Sequence, residues 1–364
     1  MTSVPTSRRA AIELGDVGLF AYVGDPTRTI GPSRGCAVLD SERLLVGSAA
    51  AARARLVPRR LNDQFWERLD RSPLPRPYAD GLEHVDLAHA HLAHFAELLL
   101  DARNAPDERL DLVLAVPGFW SADQLALLLG VARSADLTVL GLVDQAVAAV
   151  STADLVTTTG SVLYLDQNLH RTTLTLLELE PERLVIRRRV RSLERLGRTQ
   201  FEQLWARHLS SLFVRRTRFD PLHLAPAEQA LFDGLPRWLA EASTAGRANV
   251  VLEAGDREHA IEVPAAEWVR PAADLYKEIL GLVQTHDRDL PLVVCDGLAR
   301  LPGLAPALEA SGRELVFLAE GAAAAGALAS FELIAGQRSG DGALPLVLRL
   351  PRTPTEATSP GGSG

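Results

Sequence analysis

An α/β architecture of two similar lobes is what this sequence predicts, and three features predict it. At 364 residues the chain exceeds what one hydrophobic core usually fills. Short apolar runs of strand length alternate with stretches of helical periodicity. The order strand, hairpin, strand, helix then starts afresh near residue 160, after a polar Thr-rich turn.

The first lobe, 1–155, opens on a strand pair, Ala11 to Gly15 and Gly18 to Val23, with Asp16 and Val17 between them. A short strand, Gly35 to Asp40, and an Ala-rich helical patch, Gly47 to Arg55, follow, and Pro58 ends the patch. From Val85 to Arg103 apolar residues recur at helical spacing, and a buried strand, Leu110 to Val116, comes next. A helix from Ser121 to Ser134 with Ser121 as N-cap, a strand Leu137 to Val143 and a helix Gln145 to Thr152 complete a mixed sheet with helical crossovers.

The second lobe, 156–335, repeats the opening with strands Ser161 to Asp166, Arg171 to Leu177 and Leu184 to Val190, then a helix Thr199 to Leu212. An inserted α+β subdomain, about 222–287, interrupts it with helix Pro226 to Ser243, a ribbon of Asn249 to Glu253 and His259 to Val263, and helix Ala265 to Thr285. The lobe resumes with strand Pro291 to Cys295, helix Leu301 to Ala310, strand Glu314 to Phe317 and helix Gly321 to Ser330. The Pro, Gly, Ser and Thr-rich remainder, 336–364, reads as a flexible tail.

Net charge is -8, so no global basic field draws in nucleic acid or an anionic membrane. The N-terminus lacks a charged-then-apolar leader, and no apolar run reaches the roughly 18 residues of a membrane span. Cys36 and Cys295 are too few for a disulfide framework, which fits a reducing, cytoplasmic setting. Lys277 is the sole lysine among many arginines.

Several segments resemble, in order and spacing, the ATPase domain of DnaK-type heat-shock chaperones, an actin-like ATPase fold of two ribonuclease-H-like lobes. Val116-Pro117-Gly118-Phe119-Trp120 with Gln124, and Val139 to Ala149, are similar to that family's Val-Pro-aromatic strand end and its connecting helix. Further echoes are Pro32-Ser33, Glu42 to Gly47 with Ala49, Leu196-Gly197 before Phe201-Glu202, Asp296 to Pro302, and Glu320 to Ala323. The resemblance covers roughly residues 10 to 330, and the family's peptide-binding half has no room in the remaining tail.

The resemblance implies a cleft for ATP or ADP with magnesium, held by two hairpin loops with carboxylates at their base. The first loop, Asp-Leu-Gly-Thr-Thr in the family, reads Glu13-Leu14-Gly15-Asp16-Val17, so the acid survives and both hydroxyls are lost. The second, Asp-Leu-Gly-Gly-Gly-Thr in the family, reads Asp166-Gln167-Asn168-Leu169-His170-Arg171, without its glycines. Glycines there let backbone N–H groups close on phosphate, and Leu169 in a left-handed conformation would cost about 1–2 kcal/mol. Asp16 adds a repelling charge.

Glu13 and Asp166 thus stand as magnesium carboxylates acting through water, with Gly15, His170, Arg171, Gly297 and Arg300 as nucleotide contacts. His170 and Arg171 offer a new way to hold phosphate. Asp144 matches the family glutamate that orients water, and Arg59 lies near the place of the catalytic lysine, a replacement that is not neutral beside a phosphate. Asp296-Gly297 stands at the Gly-Gly start of the adenosine motif, and the inserted helix supplies Asp233, Pro236 and Ala240 where its partners are expected.

These losses favour a non-hydrolysing, chaperone-like protein that binds a protein partner. The surviving acids keep open a slow ATPase or an ATP-gated switch, while a sugar or carboxylate kinase would need an intact phosphate cradle.

Two rival constellations remain. His84, His89, His91 and His94 crowd one helix, where His91 and His94 could share a metal, but without a clear fourth ligand a solvated face is favoured. Arg187, Arg188, Arg189 and Arg191 form a basic run whose alternation places Arg187, Arg189 and Arg191 on one face. An acidic protein partner suits that run better than nucleic acid, because no aromatics are interleaved.

Overall fold

The computed structural model describes residues 7–41, 43–76, 78, 81–101, 109–181, 184–338 and 343–352. Its organisation follows from strands that are apolar on both faces. In β1 (Ser7–Glu13) and β7 (Arg109–Val116), Ala10, Ile12, Leu112 and Leu114 face one core while Ala11, Val113 and Ala115 face another. In β9 (Gly160–Gln167), Leu163 and Leu165 face a third core while Val162 and Tyr164 join the second. Period-two geometry splits such runs between two buried sides, as in any sheet covered on both faces.

The elements before residue 160 are β1, β2 (Leu19–Val23), β3 (Asp25–Ser33), β4 (Ala37–Asp40), β5 (Arg43–Val46), α1 (Gly47–Ala51), β6 (Leu61–Asn62), α2 (Phe65–Arg68), α3 (His84–Asp101), β7, α4 (Ala122–Ser134), β8 (Thr138–Asp144) and α5 (Gln145–Ser151). Then come β9, β10 (Arg171–Leu179), β11 (Leu184–Glu194), α6 (Arg198–Thr217), α7 (Ala225–Ala245), β12 (Arg247–Ala254), β13 (Arg257–Pro264), α8 (Ala265–Gln284) and β14 (Leu292–Val294). The chain closes with α9 (Asp296–Ala299), α10 (Leu304–Glu309), β15 (Leu315–Phe317), α11 (Ala322–Ala329), α12 (Phe331–Ala335), β16 (Leu346–Val347) and β17 (Arg349–Pro351).

Two six-stranded mixed sheets carry the fold, in the orders β16-β8-β7-β1-β2-β3 and β15-β14-β9-β10-β11-β17. Their inner parts match strand for strand. In each, an antiparallel meander (β1 to β3, β9 to β11) is extended by parallel strands from the first strand of the meander (β7 and β8, β14 and β15). The sequence repeat is therefore a repeat of topology.

Between the sheets, the second core is filled by α5, α11 and α12. The first two cross so closely that a Cβ on Gly326 would lie 1.9 Å from the Ala148 carbonyl oxygen, so only glycine fits there. On the outer face of the first sheet lie α3 and α4, and Ser121 caps α4 in a reciprocal box with Gln124. Beyond the second sheet lie α6, α7 and α8 with the β12–β13 ribbon, of which α7, the ribbon and α8 span the stretch read from the sequence as an insertion.

Two expectations need correction. No strand is expected from the sequence between Val23 and Gly35, yet β3 forms there at Asp25–Ser33. It is an edge strand, where missing N–H donors are tolerated. The second concerns the tail from 336. Leu346 and Val347 pair in parallel with β8, and Leu350 pairs with Val185 of β11, so this stretch joins the outer edges of both sheets. Residues 353–364, and Glu42 of the resemblance, lie outside the described residues.

Candidate functional site

The carboxyl ends of β1 and β9 face each other, and a cleft of about 90 Å³ opens between them, lined by Glu13, Gly15, Gln145, Tyr164, Asp166 and Gly297 among others. A side pocket of about 660 Å³ adjoins it, sharing Pro32, Gln167, Arg198, Asp296, Gly297 and Glu320 and reaching α7 at Pro236, Leu239, Ala240, Ser243 and Thr244.

Glu13 stands at the end of β1. Its carboxylate accepts from the Gln145 amide at 2.9 Å and from the Ala323 and Ala324 N–H groups at 3.1 and 3.3 Å, the amino end of α11. Burial, together with the nearby Asp166 charge, pushes it up to about 7. Asp166 is likewise raised by burial, an effect partly offset by the Cys295 thiol, the Gln167 N–H and the Tyr164 hydroxyl.

The two hairpin loops meet at Asp16, which is buried and accepts the Leu169 N–H at 2.8 Å. Burial pushes this carboxyl up to about 7 as well. Leu169 is fully buried and is not among the residues with positive φ, so the strain expected of it does not arise. The loop instead lies over the amino end of α6, where the Arg198 and Thr199 N–H groups donate to the Asn168 and Leu169 carbonyls at 2.9 and 3.0 Å. That approach requires Gly197, whose added Cβ would stand 2.5 Å from the Leu169 carbonyl.

His170 and Arg171 turn away from the cleft. His170 meets Asp63 across the lobes at 3.2 Å, and its charged form is favoured by that partner despite burial. Arg171 pairs with Glu67 and lies 4.2 Å from the Phe119 ring centroid. Neither is free to take phosphate.

Asp144 stands at the junction of β8 and α5 and is not among the residues lining the cleft. Fully buried, it caps α5 by accepting from the Ala146 and Val147 N–H groups at 3.0 and 3.2 Å, and it pairs with Arg187 of β11 at 2.7 Å. Arg59 sits exposed on the turn Pro58–Arg60, and neither the cleft nor the side pocket includes it. Arg300 stays at the rim of the side pocket, tied to Asp296 at 2.8 Å. Asp233 accepts from Gln229 outside that pocket, which Pro236 and Ala240 do line.

The sequence reading missed Arg198, Gln145, Gln167 and Asn168. Arg198 joins Arg34 on Glu202, with Arg34 at 3.0 and 2.7 Å and Arg198 at 3.0 Å. Burial alone would raise Glu202, but the two guanidinium groups outweigh it and hold the carboxyl at about 2. Gln167 and Asn168 are buried, yet the Nε2 of one and the Nδ2 of the other have no hydrogen-bond partner. Their signal was present in the second loop, where Asn168 stands in place of an expected glycine and Gln167 in place of the leucine before it.

The rival constellations resolve into structure. His91 is fully buried between the Trp66 indole, which donates to Nδ1 at 2.9 Å, and the Ser33 hydroxyl at Nε2, also 2.9 Å; burial drives it down to about 3. His84 pairs with Asp70 and His94 with Glu97, and among the described residues no group of three side chains could hold a metal. A register shift opposite Leu176 and Leu177 breaks the alternation of β11, so Arg187 turns inward while Arg189 and Arg191 stay exposed.

These residues do not fit a magnesium triphosphate. A phosphate cradle needs unpaired backbone N–H donors or a cation, but the backbone donors of Leu169, Ala323, Ala324, Arg198 and Thr199 already serve the protein. Lys277, the sole lysine, lies exposed and paired with Asp274 on α8. Among the described residues no helix is long and apolar enough to cross a membrane. No protein-family model matches the chain, and no curated protein matches it.

Proposed function

We propose that the chain is a non-hydrolysing relative of the DnaK-type ATPase domain, with an actin-like fold whose two lobes are held together by packing and whose task is to bind a protein partner. The duplicated meander with parallel extensions, and a cleft at the ends of β1 and β9, support the fold. One observation carries the functional reading: Asp16 accepts the Leu169 N–H where a phosphate would have to sit between the loops. The buried carboxyl there fills the donor, and in its ionised form it also repels the anion.

Calorimetry and a phosphate-release assay with magnesium-ATP test this. No heat of binding at millimolar nucleotide and no release are expected. Micromolar binding, or turnover that Asp166→Ala abolishes, would sink the proposal and establish an ATP-gated switch, a second reading favoured by Glu13 and Asp166 meeting in one cleft. Under the first reading, Asp166→Ala leaves partner recruitment intact.

A further inference from the structure

The basic run of β11 is put to two uses. Arg187 is taken by Asp144, and Arg188 by Glu178 and Glu180, while Arg189 and Arg191 stay exposed and make no salt bridge among the described residues. Arg189 and Arg191 stand opposite Leu176 and Leu174 of β10, and cross-strand neighbours share a face, here the one that α6 and α8 cover. Arg191 emerges where α8 ends, with Nη1 3.3 Å from Thr285 Oγ1.

The turn after α8 brings more cations to the same place. Arg313 is buried and donates to the Val283, His286 and Leu290 carbonyls at 3.3, 2.8 and 3.0 Å, and to that of Asp287. Arg288, exposed in that turn, is close enough to act against the Arg313 charge. Thr285 Oγ1 donates to the Leu282 carbonyl at 2.7 Å and stands 3.0 Å from His286 Nδ1, which therefore carries a proton and leaves Nε2 as the nitrogen that titrates. Burial first, and then Arg191, Arg313 and Arg189, hold His286 below its ordinary value, with Asp287 working the other way. Four guanidinium groups thus meet two carboxylates, Asp287 and Asp289, in a chain whose net charge is -8. Like charges gathered in this way are relieved by an anion.

Nucleic acid, an anionic membrane and an acidic peptide could each supply one. Beyond the patch the chain is net negative, which repels a polyanion longer than the patch, and the run 187–191 carries no aromatic residue to stack a base. A short acidic peptide confines its charge to the patch, and guanidinium suits paired contact with carboxylate.

We propose that Arg189, Arg191, Arg288 and His286 form a docking surface for a short Asp- and Glu-rich segment of a protein partner, whose carboxylates bridge β11 and the turn after α8. This rests on the reading of the chain as a partner-binding protein, and it supplies the place and the chemistry of that binding. A bound carboxylate favours the imidazolium, so His286 takes up a proton on binding and affinity rises as pH falls.

The test is fluorescence anisotropy on the full chain with labelled decaglutamate, and with labelled decalysine and decathymidylate as comparisons. Decaglutamate is expected to bind with a Kd below about 100 μM at low ionic strength, more tightly near pH 6 than near pH 8, while decalysine does not bind. Reversing both exposed charges, Arg189→Glu with Arg191→Glu, weakens it about tenfold or more, whereas Arg43→Glu with Arg71→Glu, exposed arginines of the first lobe, costs less than about threefold. If the first double variant does not fold, the wild-type proton spectrum decides. There the His286 ring signal, assigned by its loss in His286→Ala, must move on adding decaglutamate and titrate at higher pH. The proposal is overturned by no binding at millimolar peptide, by equal losses in the two double variants, by an unchanged His286 titration, or by decathymidylate binding more tightly than decaglutamate. Failure of decaglutamate removes this surface and leaves the non-hydrolysing reading to calorimetry with magnesium-ATP, whereas ATP turnover would remove that reading and leave the surface.

Discussion

The two ends of the cleft are made of similar residues and treat them in opposite ways. At the loop end, Asp16, Leu169, Asp144, Arg187, His170 and Asp63 pair with one another across the lobes. At the side-pocket end, Gln167, and next to it in the loop Asn168, are equally deep but keep side-chain donors unpaired. Buried polar groups are normally satisfied, so the first pattern marks where the chain holds itself together and the second where its own side chains leave bonds unmade. Neighbouring loop positions, 168 and 169, have been put to these two uses.

That contrast breaks first at Arg187. Arg187→Ala leaves the fully buried Asp144 without its charge partner, and a loss of about 3–5 kcal/mol in denaturant unfolding is expected. A loss below about 1 kcal/mol would show that the lobes are not fastened there.

A smaller effect of opposite sign is expected at Asp16. Its folded pKa of about 7 lies above the ordinary 3.8, so the folded chain keeps a proton that the unfolded chain gives up as pH rises between those values. Stability from this group is present at low pH and lost as pH rises through 7. Asp16→Asn removes the titration, because the amide oxygen can still accept the Leu169 N–H. Thermal melts should show the variant more stable by about 1–3 kcal/mol near pH 8 and equal to wild type below about pH 4. A pH-independent difference would refute the buried carboxyl.

The smallest effect belongs to the open end. Gln167→Leu deletes an unsatisfied buried donor and should leave stability within about 1 kcal/mol of wild type or raise it. A loss above about 2 kcal/mol would mean that Gln167 is structural, and the contrast between the two ends would fail.

Much of the fold was legible because its signals are local. The apolar runs of β7, β9 and β14 are long enough to read, and Ser121 with Gln124 marks the start of α4 at fixed spacing. Strands β3, β16 and β17 were not legible: they are edge strands that exist because a partner edge is present, and their prolines and brevity give no period. In the site, the sequence placed Glu13, Gly15, Asp166 and Gly297 in one cleft because strand ends of a repeat must meet. It could not foresee that His170, Arg171 and Asp144 take partners from the other lobe at Asp63, Glu67 and Arg187, since such pairings depend on how two distant segments dock. Leu169 was misjudged for a related reason. Its conformation is set by Gly197 and α6, elements nearly thirty positions further along.

One short stretch bears on association with other chains. β16 and β17 are separated by the single residue Leu348, whose carbonyl accepts the Arg187 N–H at 3.0 Å. An uncovered sheet edge is a template for a strand from a second molecule. Here the outer edges of β8 and β11 are covered by the same few residues, so protection against such cross-molecule pairing is shared: whatever frees residues 346–351 would bare both edges together.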